Sequence, residues 1–418
     1  MELITDAEVK SAYQVLKKSV THTPLQYDRY LSEKYKATIL LKREDLQKVR
    51  SFKLRGAYYA IKQLPPEQLV NGVVCASAGN HAQGVAYTSH EMDIPAVIFM
   101  PTTTPHQKIS QVEFFGGKKV TIKLVGDTFD ASAKAAKEFA VKQEMAFIDP
   151  FNDPNIIAGQ GTLALEMMED AKKEGLQPNF ILTAIGGGGL ISGVAAYVKN
   201  ISPATTIIGV EPKGAPSMQA AFENGGPIAL KQIDKFVDGA AVKEVGTITY
   251  FHAKNYLDRL IMVDEGVICS TILELYTKQA IVAEPAGALS VAALEVLKDE
   301  IEGKTVICVV SGGNNDISRM AEIEERSLVY EGLQHYFVVN FPQRPGALKE
   351  FVSEVLGPTD DITRFEYTKK VNRGTGPVVL GVLLKQSGDL AALLTRLAEF
   401  DAAFINLQKE PSLYSLLV

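Results

Sequence analysis

Apolar residues recur at helical spacing near the start of the chain, with Val9, Tyr13, Leu16 and Val20 on one side of a helix predicted over Ala7 to Val20. Thereafter short apolar runs alternate with amphipathic stretches. Thr38 to Leu41, Val73 to Ala76, Ala96 to Met100, Val120 to Leu124, Phe180 to Ile185, Thr206 to Val210 and Thr305 to Val310 read as strands. Lys53 to Gln63, Asn80 to Glu91, Asp130 to Gln143 and Gly159 to Glu174 read as the helices between them. Apolar strands that alternate with helices predict a parallel sheet covered on both faces, an α/β architecture. Such sheets bind ligands beyond the carboxyl ends of their strands, so the loops there are where chemistry is expected.

The pattern changes after Asp316. Ser318 to Tyr330 is charged and helical and reads as a connector, placed at 321–334. Beyond it the order is strand (Tyr336 to Phe341), helix (Gly346 to Leu356), strand (Ile362 to Thr368), strand (Val378 to Leu384), helix (Leu390 to Phe400) and strand (Phe404 to Gln408). That βαββαβ order is ferredoxin-like. The expected division is therefore a catalytic α/β domain over 1–320, with a smaller lobe at roughly 52–150, and a second domain over 335–418.

Composition narrows the class without choosing a function. The 418 residues are 46% hydrophobic and 22% charged, an ordinary globular balance. With 43 basic against 49 acidic residues the formal charge is −6, which gives no sign of a nucleic-acid groove or a membrane surface as partner. Cys75, Cys269 and Cys308 lie far apart and form no CxxC, so neither a disulfide framework nor a zinc ribbon is indicated. Met1 to Asp6 lacks the basic end and apolar core of a signal peptide, and a cytoplasmic chain is expected. The uncharged run Phe180 to Val198 is long enough to raise the question of a membrane span. However, Gly186 to Gly189 interrupt it, and each glycine costs a helix interior roughly 1 kcal/mol relative to alanine. A buried strand, a glycine loop and a new helix is the better reading.

Three strand-to-loop junctions carry chemical character: Ser77-Ala78-Gly79-Asn80-His81, Gly186-Gly187-Gly188-Gly189-Leu190 and Ser311-Gly312-Gly313-Asn314. Each offers small residues and backbone N–H groups, and helix N-termini favour anions. Each could also be a tight turn that only permits close packing. Together, in one α/β chain, they favour a phosphorylated ligand. A dinucleotide site would want G-x-G-x-x-G and a P-loop would want lysine and a hydroxyl residue after the glycines; neither is present. The remaining clue is Ser51-Phe52-Lys53-Leu54-Arg55-Gly56-Ala57. A lysine beside an aromatic ring, with another cation nearby and partial desolvation, has a lowered pKa and can form a Schiff base. Lysine plus a phosphate cradle are the parts a pyridoxal phosphate site requires.

The four motifs, in this order, resemble the threonine dehydratase (threonine ammonia-lyase) family, fold-type II pyridoxal phosphate enzymes built of two open, twisted α/β lobes. The likeness runs from about Ala7 to Asp316. Phe341-Pro342-Gln343-Arg344-Pro345-Gly346-Ala347-Leu348 looks like the single ACT-like regulatory domain of the biosynthetic branch. The resemblance implies that Lys53 bonds the cofactor, with Phe52 against its ring, Asn80 on the ring hydroxyl, Gly186 to Leu190 on the phosphate and Ser311 facing the pyridine nitrogen. It implies that Ser77, Ala78, Gly79, Asn80 and His81 hold the substrate, with His81 given no acid–base role. The implied reaction converts L-threonine, and secondarily L-serine, to a 2-oxo acid and ammonia, as the first committed step of isoleucine formation. Isoleucine is the implied inhibitor, with valine as a candidate opposing effector. Arg344 and Gly346 are the candidate effector turn, which could equally serve the fold alone. A homo-oligomer, dimer or tetramer, is expected.

Two details bear on near relatives. Serine racemases carry a second serine where Ala78 stands, so the base needed for racemisation is lacking. Their divalent-metal site would fall at Glu211, Ala215 and Ser217, where Ser217 replaces a carboxylate, so no structural metal is expected. The alternatives are a catabolic serine/threonine deaminase and a catalytically inert amino-acid sensor.

Overall fold

The computed structural model describes residues 1–368 and 373–418, and the chain divides into two compact units, Met1–Arg319 and Met320–Val418. The first unit holds two open sheets. The smaller is all parallel, ordered Val120–Leu124, Ala96–Met100, Val73–Ala76, Ala146–Phe147. The larger runs Leu25–Tyr27, Thr38–Arg43, Thr305–Val310, Phe180–Ala184, Thr206–Pro212, Arg259–Val263. Only its first pair is antiparallel. The central strands are buried along nearly their whole length, as sheets covered on both faces require.

Helix Pro154–Lys173 lies at the centre of this unit and begins earlier than the apolar spacing predicted. Asp153 accepts hydrogen bonds from the N–H groups of Asn155 and Ile156, and Pro154 occupies the first turn, a strong start signal. Gly159, where the apolar spacing predicts the start, and Gly161 are interior contacts. A Cβ at Gly159 would sit 2.8 Å from the Arg55 carbonyl oxygen, and one at Gly161 2.8 Å from that of Gly193. Bare backbone thus lets this helix touch helices Lys53–Gln63 and Gly189–Ile201 closely. The first helix, Asp6–Leu16, also stops short of the expected Val20, although Val20 stays buried.

The second unit has the expected βαββαβ core. Its sheet is ordered Asp361–Tyr367, Thr375–Leu383, Gln334–Pro342, Ile405–Asn406, all antiparallel. Phe337, Val339, Phe341, Val378, Leu380 and Val382 alternate onto one face, against Phe351 of Ala347–Glu354 and Leu393 and Leu397 of Leu390–Phe400. Phe341 packs against Phe351, Phe365 and Phe400 with ring centroids 4.8, 5.3 and 5.2 Å apart. The stretch read as a connector belongs to this unit instead. Helix Met320–Tyr330 buries Ile323 and Ser327, and its Glu325 accepts a 2.7 Å hydrogen bond from the Tyr336 hydroxyl. A closing helix, Pro411–Leu417, had no counterpart in the sequence pattern.

Candidate active site

Parallel strands bring their carboxyl ends to one edge, and the three singled-out loops lie there. Val73–Ala76 leads through Ser77 to Gly79 into helix Asn80–Glu91. Phe180–Ala184 leads through the glycine loop into helix Gly189–Ile201. Thr305–Val310 leads into Ser311 and the following amides. The segment before Lys53 is laced to that third loop: Ser51 bridges Gly312, the Phe52 N–H donates to Ser311 O at 3.1 Å, and the Gly313 N–H donates to Arg50 O at 2.9 Å. Lys53 therefore starts its helix beside Ser311 rather than on an open surface.

The Lys53 ammonium donates to Pro150 O at 2.8 Å and lies 5.4 Å from the Phe52 ring centroid. Burial lowers its pKa to about 8, partly opposed by the charges of Asp149 and Glu284. The neighbouring arginine is not the cause. Arg55 turns away into a closed ionic cluster, fully buried, where it forks onto Glu44 (2.8 Å) and Glu166 (2.7 Å), while Lys42 meets Glu166 at 2.7 Å. On a helix, residues two apart face different ways. The lysine's lowered pKa therefore comes from desolvation and not, as its sequence neighbours predict, also from a second cation.

The glycine loop is enclosed by side chains that leave no room for a Cβ. At Gly187 it would collide with the Phe151 ring, at Gly188 it would sit 2.8 Å from Thr249 Cβ, and at Gly189 3.1 Å from Phe151 Cβ. Gly188 has φ +93° and forms the N-cap of helix Gly189–Ile201. Thr249 Oγ1 donates to Gly187 O at 2.6 Å, which fixes the loop. Among the described residues, no acceptor pairs with the N–H groups of Gly186, Gly187 or Gly188. Free N–H groups at a helix N-terminus, with no side chain in the way, suit a phosphate.

At the same strand ends, Asn80 Nδ2 donates to Glu284 Oε1 at 2.6 Å, and Asn80 Oδ1 accepts from Asn314 Nδ2 at 2.7 Å. Ser311 Oγ, buried, donates to Ala286 O at 3.2 Å. The Ser77 turn folds on itself, with the Gly79 N–H donating to Ser77 Oγ at 3.2 Å. His81 Nε2 is 3.0 Å from Ile148 O and so carries the proton. Its Nδ1 is buried without a hydrogen-bond partner among the described residues. Burial, and then the charge of Lys53, lower its pKa to about 4, so the ring is neutral at physiological pH. Ala78 lies between Ser77 and Gly79 in this turn, as the order of the motif requires.

The family described as pyridoxal-phosphate dependent enzyme matches residues 16–312, and the C-terminal regulatory domain of threonine dehydratase matches 325–417. Lactococcus lactis has a protein named L-threonine dehydratase biosynthetic IlvA that is 61% identical over 416 residues, covering 100% of both chains. Proteins of the same name from Staphylococcus epidermidis (57%, 99% of both chains) and Halalkalibacterium halodurans (56%, 97% of both) are also full-length relatives. The chain belongs to the biosynthetic threonine dehydratase family. Among solved structures, the processed form of threonine deaminase isoform 2 from Solanum lycopersicum superposes with a TM-score of 0.73 at 35% identity, covering 78% of this chain and 96% of that one. Maize serine racemase gives 0.72 at 29%, covering 79% and 99%.

Within this threonine dehydratase framework, Glu284 stands beside Asn80 although no sequence motif singles it out. It lies in Glu284-Pro285, a pair that signals a helix start, and nothing local says that its side chain serves anything but that helix. Only its position opposite Asn80 in the folded chain marks it. The Glu211 carboxylate accepts from the N–H groups of Met218 (2.7 Å) and Gln219 (2.9 Å) at the start of helix Ser217–Asn224. Burial raises its pKa to about 7 despite these bonds. In the second unit, Gly346 has φ +86° at the N-cap of Ala347–Glu354, and Arg344 forms an ion pair with Glu350. The arginine of the candidate effector turn is thus already paired within its own loop.

Proposed function

We propose that this chain is a pyridoxal-phosphate dependent lyase that converts L-threonine to 2-oxobutanoate and ammonia, the entry step of isoleucine formation. The single observation that carries it is the half-buried Lys53 amine at the strand ends, in a chain 61% identical along its whole length to a biosynthetic threonine dehydratase. Lys53 would hold the cofactor, Gly186 to Leu190 its phosphate, Asn80 its ring hydroxyl and Ser311 its ring nitrogen, with Phe52 against the ring. When bound, the cofactor withdraws electrons from the bond to the α-hydrogen.

The chain's own groups then do the rest. Burial keeps a sizeable fraction of Lys53 neutral near pH 8, so Nζ can take the α-proton. The Ser77 to His81 turn, at a helix N-terminus, would seat the substrate carboxylate on backbone N–H groups. His81, neutral and with Nε2–H committed to Ile148 O, orients that turn instead of moving a proton. Ser311, as a hydroxyl, leaves the ring nitrogen without a carboxylate partner, which weakens the electron sink and favours prompt loss of the β-hydroxyl. Ala78 supplies no second base, which favours elimination over racemisation.

For the regulatory unit, isoleucine as inhibitor with valine opposing is the fitting effector pair, and a homo-oligomer the fitting assembly. A ligand acts there only by binding one of two global states better. The test is a 2-oxobutanoate assay on threonine against serine, with and without isoleucine, on parent and Lys53→Ala protein. The expected outcome is threonine turnover that isoleucine suppresses and that Lys53→Ala lacks, together with the visible absorbance of lysine-bound cofactor. Parent protein with neither turnover nor that band would sink the reading.

A further inference from the structure

We infer that Glu284 is a positioning residue for the reaction: its buried carboxyl, seated between Gly312 and Gly239, sets which way the Asn80 amide points toward the cofactor site. This rests on the reading of Lys53 and Asn80 above.

Glu284 precedes helix Pro285–Ile301, where a carboxylate would ordinarily turn onto the helix's own free N–H groups. It makes no such bond. Its backbone N–H donates to Gly312 O at 3.2 Å, and its side chain turns away, 6% exposed, to accept the 2.6 Å bond from Asn80. The surroundings are shaped around it. A Cβ on Gly312 would collide with Glu284 Oε1, and one on Gly239 would lie 3.7 Å from it.

The consequence falls on Asn80. An amide has one end that accepts and one that donates, and packing alone hardly distinguishes them. Asn314 donates to Asn80 Oδ1 from one side, and Glu284 accepts from Nδ2 on the other. An ionised carboxylate can only accept, so a flipped Asn80 would face oxygen with oxygen. This leaves the second Nδ2 hydrogen of Asn80 available for the cofactor. Once protonated, Glu284 can donate, and only the bond from Asn314 then holds the Asn80 amide in this orientation.

The charged groups facing Glu284 are Lys53 at the start of its helix, Asp238 in the loop before Gly239, and Lys108 of helix His106–Gly116, which is ion-paired with Asp238. Burial, and then the charge of Asp238, raise the Glu284 pKa to about 7 against the opposing Asn80 bond and the charges of Lys108 and Lys53. The switch between accepting and donating therefore falls inside the working range of pH.

Sign follows from the same values. With an ordinary pKa of 4.5 and a folded value of about 7, the group favours the folded chain below pH 4.5 and loses that contribution as pH rises through about 7. Glu284→Gln keeps an oxygen acceptor for Asn80 but cannot titrate and can itself flip. In cofactor-loaded full-length protein, Glu284→Gln should lower kcat by about 10-fold or more with KM for threonine changed less than about 3-fold, the pattern of misplacement rather than lost substrate binding. The limb of the parent's pH profile near 7 should flatten, and the visible band of the bound cofactor should lose its pH dependence there. Glu284→Asp, which titrates but reaches less far, should keep the limb while losing rate.

A second readout needs no turnover. Thermal melts of cofactor-free protein should show Glu284→Gln gaining on its parent as pH rises from 5 to 8. Parent-like rate, pH profile and spectrum in Glu284→Gln would overturn the inference, and so would a melting difference that does not change with pH. A parent without threonine turnover would instead count against the functional reading, while the melts still decide whether Glu284 titrates as required.

Discussion

At the scale of the residue, Lys53 shows how much of a reactive group is environment. Its sequence neighbours suggested cation–cation repulsion, but the nearest arginine is sealed in its own cluster and burial alone lowers the amine. The neutral amine is the nucleophile that captures the cofactor. Association of pyridoxal phosphate with cofactor-free protein should therefore speed up about tenfold per pH unit below about 8 and level off above it. Stopped-flow mixing across pH 6 to 10 reads this directly, and a rate still climbing at pH 10 would mean an ordinary surface-like lysine. His81 makes the complementary case. Replacing it with asparagine should cost substrate affinity more than it changes the pH profile, because a ring with a pKa of about 4 does not titrate in the working range. A profile limb that vanishes with His81 would refute the positioning role given to it.

At the scale of the element, two constructions hold the site. One is the glycine loop, whose strand and helix were legible from an apolar run broken by four glycines, but whose enclosure by Phe151 and Thr249 was not. Gly188→Ala places a side chain at φ +93° and against Thr249, which should cost about 1–3 kcal/mol and weaken cofactor binding. Equilibrium titration with pyridoxal phosphate together with urea unfolding would measure both. The other is the ionic cluster that clamps helix Lys53–Gln63 to helix Pro154–Lys173. Two cations and two carboxylates, all fully buried, balance one another there. Arg55→Met would strand Glu44 and Glu166 without their fork and should destabilise the chain by about 3–5 kcal/mol. A denaturation midpoint unmoved by that change would show the cluster to be dispensable. No periodicity announces such a cluster, because its members come from a strand, a turn and two helices.

At the scale of the whole molecule, the chain divides between Arg319 and Met320, so helix Met320–Tyr330 goes with the regulatory unit. A cut after Tyr330 would leave that helix without the Tyr336 hydroxyl that its Glu325 accepts from, whereas a cut after Arg319 follows the division. Arg319 itself belongs to the first unit, donating to Phe236 O at 2.7 Å with its guanidinium 4.8 Å from the Phe236 ring. A chain ending at Arg319 should retain threonine turnover and lose any response to isoleucine. Inhibition that survives the cut would place the effector site in the catalytic unit.

Order along the chain, alternation of short apolar strands with helices, and small residues at strand ends are local properties. They were enough to specify a parallel α/β unit and a ferredoxin-like second unit, and to single out Lys53 and three small-residue loops at strand ends, whereas the two lobes and the roles given to Asn80 and Ser311 came from the family resemblance. Local patterns carry no information about which distant groups share a cavity. The partnership of Asn80 with Glu284, the enclosure of the glycines by Phe151, the pairing of Arg344 with Glu350 and the source of the lowered lysine pKa were decided by tertiary structure alone. The reason is physical. Periodicity records which face a residue turns to the core, whereas desolvation and hydrogen bonding depend on what the rest of the chain brings to that face.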